Sequence, residues 1–213
     1  MDARAYWDNY YKKKDEEEWA DQPSLFAQFS LIYFPKEGKL LEFGAGAGSD
    51  SRYFADHGYQ VTCTDYSKEA LNIAQWEAVN KKLRIDHMLL DLTQPFPFEN
   101  ESFEIAFSHD VLHYFDNKKT RQIFEEIYRI LKPEGILATL LKSHDDPERQ
   151  SSTKLDDTFY KTPRGLDERF FTVNEVQSLI KDLFEPKVLN STGQMIEKDN
   201  DTFIRFIGEK IIK

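Results

Sequence analysis

The stretch LLEFGAGAGSDSRYF, residues 40–54, places three glycines within five positions directly after a short apolar run. Glycine lacks a Cβ and readily adopts positive φ, so such a turn lets the backbone approach a bound molecule closely. Residues 39–43 predict a buried strand, and residues 50–57 predict a helix that stops at Gly58. A turn between a strand and a helix is where an open parallel sheet forms its ligand crevice. The alternative is a strand-to-helix turn with a purely structural role.

Strands and helices alternate along the rest of the chain, without an internal repeat or a low-complexity tract. Ser67 is predicted to cap a helix that reaches residue 80, and a helix beginning near residue 117 ends before Pro133. Further strands are predicted at residues 60–64, 84–89, 103–108 and 136–141. This order predicts an α/β fold, a Rossmann-like three-layer sandwich built on a mostly parallel sheet.

The C-terminal part adds a polar stretch, a helix and two strands. Residues 142–169 are polar with little periodicity, and loops of that length are functional lids or disordered segments. Thr172 and Glu175 have the spacing of a capping box, which predicts a helix to about residue 183. Strands at residues 187–191 and 202–208 lie too close in sequence for a crossover helix, so they predict an antiparallel hairpin at the sheet edge.

Composition predicts one domain and excludes several classes of partner. The 213 residues are 40% hydrophobic, enough for one core, and 38 acidic against 28 basic residues give a net charge of −10. That charge repels a polyanion, so we expect no nucleic-acid partner. A single cysteine, Cys63, and the absence of an apolar run of about 20 residues favour a cytoplasmic protein without membrane contact, a monomer or homodimer.

An acidic residue at the end of the second predicted strand indicates a nucleoside-binding site. Asp65 stands 17 positions after Gly48, where an acidic side chain can accept hydrogen bonds from both ribose hydroxyls. A dinucleotide fingerprint G-x-G-x-x-G needs its third glycine at position 49, which is Ser49. The glycine turn therefore favours a nucleoside-containing cofactor other than NAD.

The residues EFGAGAG, 42–48, resemble the E/D-x-G-x-G-x-G motif of class I S-adenosylmethionine-dependent methyltransferases. Three later segments resemble landmarks of the same family: LLDL at 89–92, FEIAFSHDVLHYF at 103–115 and ILKPEGILATLL at 130–141. The resemblance implies S-adenosylmethionine as cofactor and a seven-stranded sheet with an antiparallel last strand. It implies cofactor contacts from Glu42, Gly44, Ala45, Gly46, Gly48, Asp65, Tyr66, Asp91, Leu92 and His109, with Asp110 as a further candidate.

Methyl transfer from a sulfonium depends mainly on positioning and on exclusion of water, so no universal catalytic residue is required. Where the acceptor carries a proton, a base assists, and His113 and His144 are the candidates. The alternative for His113 is a side chain that only satisfies a helix start. The histidine spacing matches no zinc motif, and we expect no metal.

The N-terminal segment is rich in aromatic residues. Trp7, Tyr11 and Trp19 are candidates for a lid, because aromatic faces attract a sulfonium cation. The alternative is plain core packing. We therefore divide the single domain into four parts: residues 1–36 as N-terminal helical cover, 37–142 as cofactor-binding core, 143–171 as substrate loop, and 172–213 as C-terminal helix and hairpin.

Three functions stay open from the sequence. The leading one is a methyltransferase that acts on a small molecule, because the chain resembles the tellurite-resistance and thiopurine methyltransferases in its size and N-terminal cover. The second is an NAD-dependent oxidoreductase, which Ser49 disfavours. The third is a non-catalytic protein that retains the nucleoside pocket. The sequence does not specify the methyl acceptor.

Overall fold

The computed structural model describes residues 3–13, 22–191 and 202–212. The helices within these residues are α1 (Ala3–Lys13), α2 (Leu25–Ser30), α3 (Ser49–Asp56), α4 (Lys68–Asn80), α5 (Asn117–Ile130), α6 (Pro147–Ser151) and α7 (Val173–Ile180), with 3₁₀ turns at Leu31–Tyr33 and Leu112–Tyr114. The strands are β1 (Lys39–Phe43), β2 (Gln60–Asp65), β3 (Ile85–Leu89), β4 (Phe103–His109), β5 (Leu131–Lys142), β6 (Thr153–Lys154), β7 (Phe159–Lys161), β8 (Asp167–Arg169), β9 (Phe184–Asn190) and β10 (Phe203–Lys210). Among the helices described, none is long and apolar enough to cross a bilayer.

The main sheet has seven strands in the order β3-β2-β1-β4-β5-β10-β9. Strands β1 to β5 pair in parallel, whereas β10 pairs antiparallel with both β5 and β9. The predicted fold class, including the antiparallel last strand and the C-terminal hairpin, is therefore confirmed. The strand order reverses between β1 and β4, so the crevice expected of such a sheet opens at the C-terminal end of β1.

The core fills both faces of the sheet because successive residues of a strand point to opposite sides. Leu41 faces a cluster that includes Ile123 and Ile127 of α5, while Leu40 faces a second cluster that includes Phe54 of α3. Every residue of β1 after Lys39 is buried, as expected of a central parallel strand covered on both faces. The rigid sheet fixes where β1, β2 and β4 end, and those ends form the site.

The structure corrects the predicted boundaries after α5 and along the polar stretch. Helix α5 ends at Ile130, and β5 begins at once rather than at residue 136, with a register shift against β4 between Phe103 and Ile105. Pro133 accounts for the early end, because the residue before a proline avoids helical geometry. Residues predicted to form an irregular loop instead build α6 and a three-stranded antiparallel sheet in the order β6-β7-β8. The capping box of Thr172 and Glu175 is confirmed, although α7 ends at Ile180.

Candidate active site

A cavity of about 510 Å³ lies at the C-terminal ends of β1, β2 and β4. That volume is within the range of small-molecule sites, roughly 300–1,000 Å³. Its walls are the glycine turn after β1, the end of β2, the segment 90–93 after β3, and the loop after β4, with α1 along one side. Thus the sheet positions four sequence segments, far apart along the chain, around one space.

The glycine turn brings the backbone to the cavity wall. Gly44 and Gly46 have φ of +68° and +55°, which side-chain-bearing residues adopt only at a cost. A Cβ on Gly44 would overlap Val111, and a Cβ on Gly46 would overlap the Tyr11 hydroxyl. Ala45 N–H donates to the Thr64 carbonyl at 2.9 Å, which ties the turn to β2. Close approach therefore accounts for two of the three glycines.

Gly48 has a different role from the other two glycines. It has φ of +74° as the residue before α3, and it does not appear on the cavity wall. A Cβ there would lie 2.9 Å from the Ala74 Cβ in α4. The third glycine thus allows α3 and α4 to approach each other, and its predicted contact with a cofactor stays a prediction.

Asp65 ends β2 and faces the glycine turn. One of its carboxylate oxygens accepts the Gly46 N–H at 2.8 Å, and the other accepts the Ser67 N–H at 2.8 Å. Burial raises the pKa of Asp65, although these backbone hydrogen bonds oppose the shift. Each carboxylate oxygen keeps a second lone pair, so the group can accept further hydrogen bonds from a bound molecule.

Two more carboxylates lie beneath the turn. Glu42 is buried and accepts a hydrogen bond from the Ser51 hydroxyl, while burial and the neighbouring Asp50 raise the pKa of Glu42 well above its usual value. Asp50 accepts hydrogen bonds from the Ser24 N–H at 2.6 Å and its hydroxyl at 2.8 Å. The sequence analysis missed Asp50. Its signal was an acidic residue in the first turn of the helix that follows the glycines.

His109 ends β4 opposite the glycine turn. Its Nδ1 lies 3.5 Å from the Asp50 carboxylate. Burial alone would lower the pKa of His109, but the hydrogen bond and charge of Asp50 outweigh it and raise that pKa. Its buried Nε2 has no hydrogen-bond partner in the part of the chain that the structure describes. A buried polar atom of this kind at a cavity wall is suited to a polar group of a ligand.

The segment after β3 carries the predicted adenine contacts. Asp91 and Leu92 line the cavity together with Leu90. The exposed Asp91 carboxylate accepts hydrogen bonds from the Thr93 N–H at 2.8 Å and from its hydroxyl at 2.7 Å. This turn holds a carboxylate and two leucines at one end of the cavity.

Helix α1 joins two walls of the cavity. Trp7 and Tyr11 line the cavity, and the Trp7 Nε1 donates to the Tyr114 hydroxyl at 3.2 Å in the loop after β4. On the other wall, the Ser67 hydroxyl donates to Asp8 at 2.6 Å. Burial raises the pKa of Tyr11, and the charge of Asp65 adds to the shift. Trp19, the third aromatic residue predicted for the lid, lies outside the described residues.

The two predicted bases lie away from the cavity wall. His113 is only 1% exposed, and its Nδ1 lies 3.2 Å from Asp110, which does line the cavity. His144 is absent from the lining residues, and its N–H donates to the Phe171 carbonyl at 2.7 Å. A role as base for either histidine stays a prediction.

A buried network of charges lies behind the loop after β4. Glu168 of β8 accepts hydrogen bonds from Lys142 at 2.6 Å and from Arg164 at 2.9 Å. Lys142 also pairs with Glu148 of α6, and His113 Nε2 lies 3.9 Å from Glu168. These contacts fasten α6 and the β6–β8 sheet to the end of β5. No sequence motif predicts them, because the partners are 6 to 26 residues from Lys142 in irregular sequence.

The charge of the cavity selects its ligand class. Five acidic residues line it against one guanidinium, that of Arg4, and one imidazole. The acidic residues are Glu42, Asp50, Asp65, Asp91 and Asp110. Such a lining favours a cation and repels a phosphate, which would need a set of convergent N–H groups. The cavity therefore fits the adenosine, ammonium and sulfonium groups that the sequence resemblance implied.

Comparisons with known proteins agree with this geometry. Residues 41–139 match a family described as a methyltransferase domain. The tRNA N(3)-methylcytidine methyltransferase Mettl2 of Drosophila melanogaster is 25% identical over 198 residues, covering 84% of this chain and 60% of that protein. The malonyl-[acyl-carrier protein] O-methyltransferase of Enterobacter lignolyticus is 27% identical over 150 residues, covering 70% and 56%. The chain spans about half the length of the curated relatives it matches.

Solved structures share the fold. A SAM-dependent methyltransferase of Methanosarcina mazei superposes with a TM-score of 0.76 at 20% identity, covering 87% of this chain and 98% of that one. The 1,6-didemethyltoxoflavin-N1-methyltransferase of Burkholderia thailandensis, solved with its substrate and S-adenosylhomocysteine, gives 0.72 at 18% identity, covering 97% and 88%.

The family match over residues 41–139, together with the strand order and the cavity where that order reverses, identifies this part of the chain as a methyltransferase domain with the class I fold. The resemblance seen in the sequence is confirmed. S-adenosylmethionine is the cofactor of this class.

Proposed function

We propose that this protein binds S-adenosylmethionine in the cavity and transfers its methyl group to a small-molecule acceptor. The observation that supports the proposal most strongly is an acidic cavity at the point where the strand order reverses, between β1 and β4. Glycines with positive φ form part of its wall. When bound, S-adenosylmethionine supplies an electrophilic methyl carbon: the acceptor's lone pair forms the new bond while the departing sulfur keeps the C–S electron pair. The residues of the chain supply binding, orientation and exclusion of water.

The proposed roles of the cofactor-binding residues are those implied by the family resemblance, and their presence on the cavity wall supports them. The backbone of the glycine turn would hold the methionine part, and the carboxyl groups of Glu42 and Asp50 would lie near its ammonium and sulfonium groups. Asp65 accepts hydrogen bonds from the ribose hydroxyls, and Asp91 accepts one from the adenine amine. The remaining contacts are those of Ala45, Tyr66, Leu92 and His109, all of which line the cavity.

Helix α1 acts as the lid. Its contacts with Tyr114 on one wall and Ser67 on the other span the cavity, so bound cofactor is screened from water on that side. Trp7 and Tyr11 line the cavity, and an aromatic face turned towards a bound cation attracts it by about 0.5–2 kcal/mol. Trp19 stays in the proposal as a further lid residue.

A small acceptor fits the size and charge of the site. A cavity of about 510 Å³ that also holds the cofactor leaves limited space for a second molecule. Of the relatives, the toxoflavin enzyme is named for a small heterocycle, whereas Mettl2 is named for tRNA. The net charge of −10 opposes binding of a polyanion and favours the small molecule. We place the protein in the cytoplasm, as a monomer or homodimer.

Transfer of a labelled methyl group tests the proposal. The purified full chain is incubated with methyl-labelled S-adenosylmethionine and, in separate reactions, a metabolite extract or bulk tRNA. The proposal predicts label in a low-molecular-weight product. Label only in tRNA would replace the small-molecule acceptor by RNA. Binding of cofactor without any transfer would favour the non-catalytic alternative, and binding of NAD instead would favour the oxidoreductase.

A further inference from the structure

Two consecutive residues at the C-terminal end of β4 line the cavity and contact different parts of the chain. His109 lies 3.5 Å from Asp50 and therefore faces the glycine turn. Asp110 lies 3.2 Å from His113, whose ring is 4.1 Å from that of Tyr114. Asp110 therefore contacts the 3₁₀ turn at Leu112–Tyr114, whereas His109 contacts the carboxylate of Asp50.

The backbone of Asp110 is held in a costly conformation. Its φ is +56°, a value that glycine adopts freely and that costs other residues about 1–3 kcal/mol. Its N–H donates to the Leu140 carbonyl at 3.2 Å, which fixes the residue against β5. A strained, non-glycine residue at the wall of a cavity indicates that its side chain has a function there.

Neighbouring buried side chains favour the ionised form of this carboxyl group. Although burial opposes ionisation, His113 and Lys142 hold the pKa of Asp110 well below its usual range. Lys142 is 4% exposed and is fixed by Glu148 and Glu168. These neighbouring side chains therefore favour the ionised form of Asp110 before any ligand binds.

The wall around Asp110 is aromatic. Trp7, Tyr114 and Phe115 line the same cavity as Asp110, and the Trp7–Tyr114 hydrogen bond holds two of these side chains together. An anion set among aromatic rings matches a ligand with a positive nitrogen attached to an apolar body.

We propose that Asp110 is the acceptor-recognition residue and that it selects acceptors carrying a basic nitrogen next to an apolar or aromatic group. This inference rests on the proposed function and names the substrate class of the same site. A protonated amine donates an N–H to the Asp110 carboxylate. Its proton passes to solvent water before the freed lone pair attacks the methyl carbon, and the methylated nitrogen is again positive beside the carboxylate.

The test compares three probes of the same shape. The full chain, saturated with S-adenosylhomocysteine at pH 7, is titrated with benzylamine, benzyl alcohol and benzoate and followed by ligand-observed NMR. Benzylamine should bind at least about tenfold more tightly than benzyl alcohol, because a hydrogen bond between two charged groups is stronger than one from a neutral hydroxyl. Benzoate should bind most weakly.

Two variants assign that preference to Asp110. Asp110→Asn removes the charge at constant shape, and Asp110→Gly removes the side chain and suits the positive φ, so this second variant should fold. Both should bring the amine-to-alcohol ratio to within about threefold while leaving the S-adenosylhomocysteine affinity within about threefold. Asp86→Asn is the control, because it removes one negative charge from an exposed position in β3. This variant should keep the wild-type preference for benzylamine over benzyl alcohol.

Three results would overturn the inference. Equal affinity of the wild-type protein for benzylamine and benzyl alcohol would exclude an amine subsite. A loss of S-adenosylhomocysteine affinity of about tenfold or more in Asp110→Asn would assign the carboxylate to the cofactor instead. If the wild-type protein did not bind S-adenosylhomocysteine at all, the proposed function would fail first. Cofactor binding without amine preference would refute only the inference.

Discussion

The two sides of the cavity are built by different means. On the cofactor side, positive-φ glycines and main-chain hydrogen bonds shape the wall, and Asp65 is held by two backbone N–H groups. On the side of the loop after β4, buried side chains support the wall from behind. They are Lys142 of β5, Glu168 of β8 and His113 of the 3₁₀ turn. One side is therefore encoded in a short contiguous stretch. The other depends on charges brought together by the fold.

The largest loss of stability is expected from replacing Lys142, which lies at the centre of the buried charge network beside the loop after β4. Lys142→Met leaves the fully buried Glu168 with fewer cationic partners, so the free energy of unfolding should fall by about 3–5 kcal/mol. Urea denaturation measures it. Lys161→Met, which breaks the exposed pair with Asp167, should cost less than about 1 kcal/mol. If the two variants lost the same free energy of unfolding, the buried charge network would not stabilise the attachment of α6 and the β6–β8 sheet.

The glycine side should respond to a single methyl group. Gly44→Ala combines a positive φ with overlap on Val111, so the free energy of unfolding should fall by about 2–4 kcal/mol. Gly165→Ala shares a positive φ, +80°, but its Cβ would meet no atom within 4 Å, so it should lose only about 1–2 kcal/mol. If Gly44→Ala lost no more than Gly165→Ala, close approach to the loop after β4 would not explain that glycine.

A smaller effect is expected on the affinity for S-adenosylhomocysteine. Asp65→Asn removes the charged acceptor proposed for the ribose hydroxyls, and S-adenosylhomocysteine affinity should fall by roughly 10- to 100-fold, since such a hydrogen bond contributes about 1.5–3 kcal/mol. Calorimetry on the folded variant measures this change. Asp56→Asn, exposed at the end of α3, is the control for loss of one charge. Unchanged affinity in Asp65→Asn would remove the carboxylate from the cofactor site.

The pH dependence of stability tests the contact between His109, at the end of β4, and Asp50 of α3. Asp50 raises the pKa of His109 above the ordinary 6.5 despite burial, so the protonated imidazole stabilises the folded state. This contribution is complete below pH 6.5 and is lost as pH rises through the folded-state pKa. The stability difference between the wild type and His109→Gln should therefore shrink as pH rises. A difference that grew with pH would contradict the assigned charge state.

The sequence predicted the cofactor side far better than the other side. Local chemistry sufficed for the succession of strands and helices along the chain, the capping box and the positions of Gly44, Gly46 and Asp65, because turns and caps depend on neighbouring residues. It did not reveal Asp50, the β6–β8 sheet or the network of Lys142. These depend on contacts between segments far apart in the chain, and charged residues in a polar stretch look alike whether they are solvated or buried.

The central claim is that the switch-point cavity binds the adenosyl cofactor, and a calorimetric titration tests it most directly. The full-length protein should bind S-adenosylhomocysteine saturably with one site per chain and should give no heat with NAD. No binding of S-adenosylhomocysteine at millimolar concentration, or NAD binding of equal strength, would contradict the account.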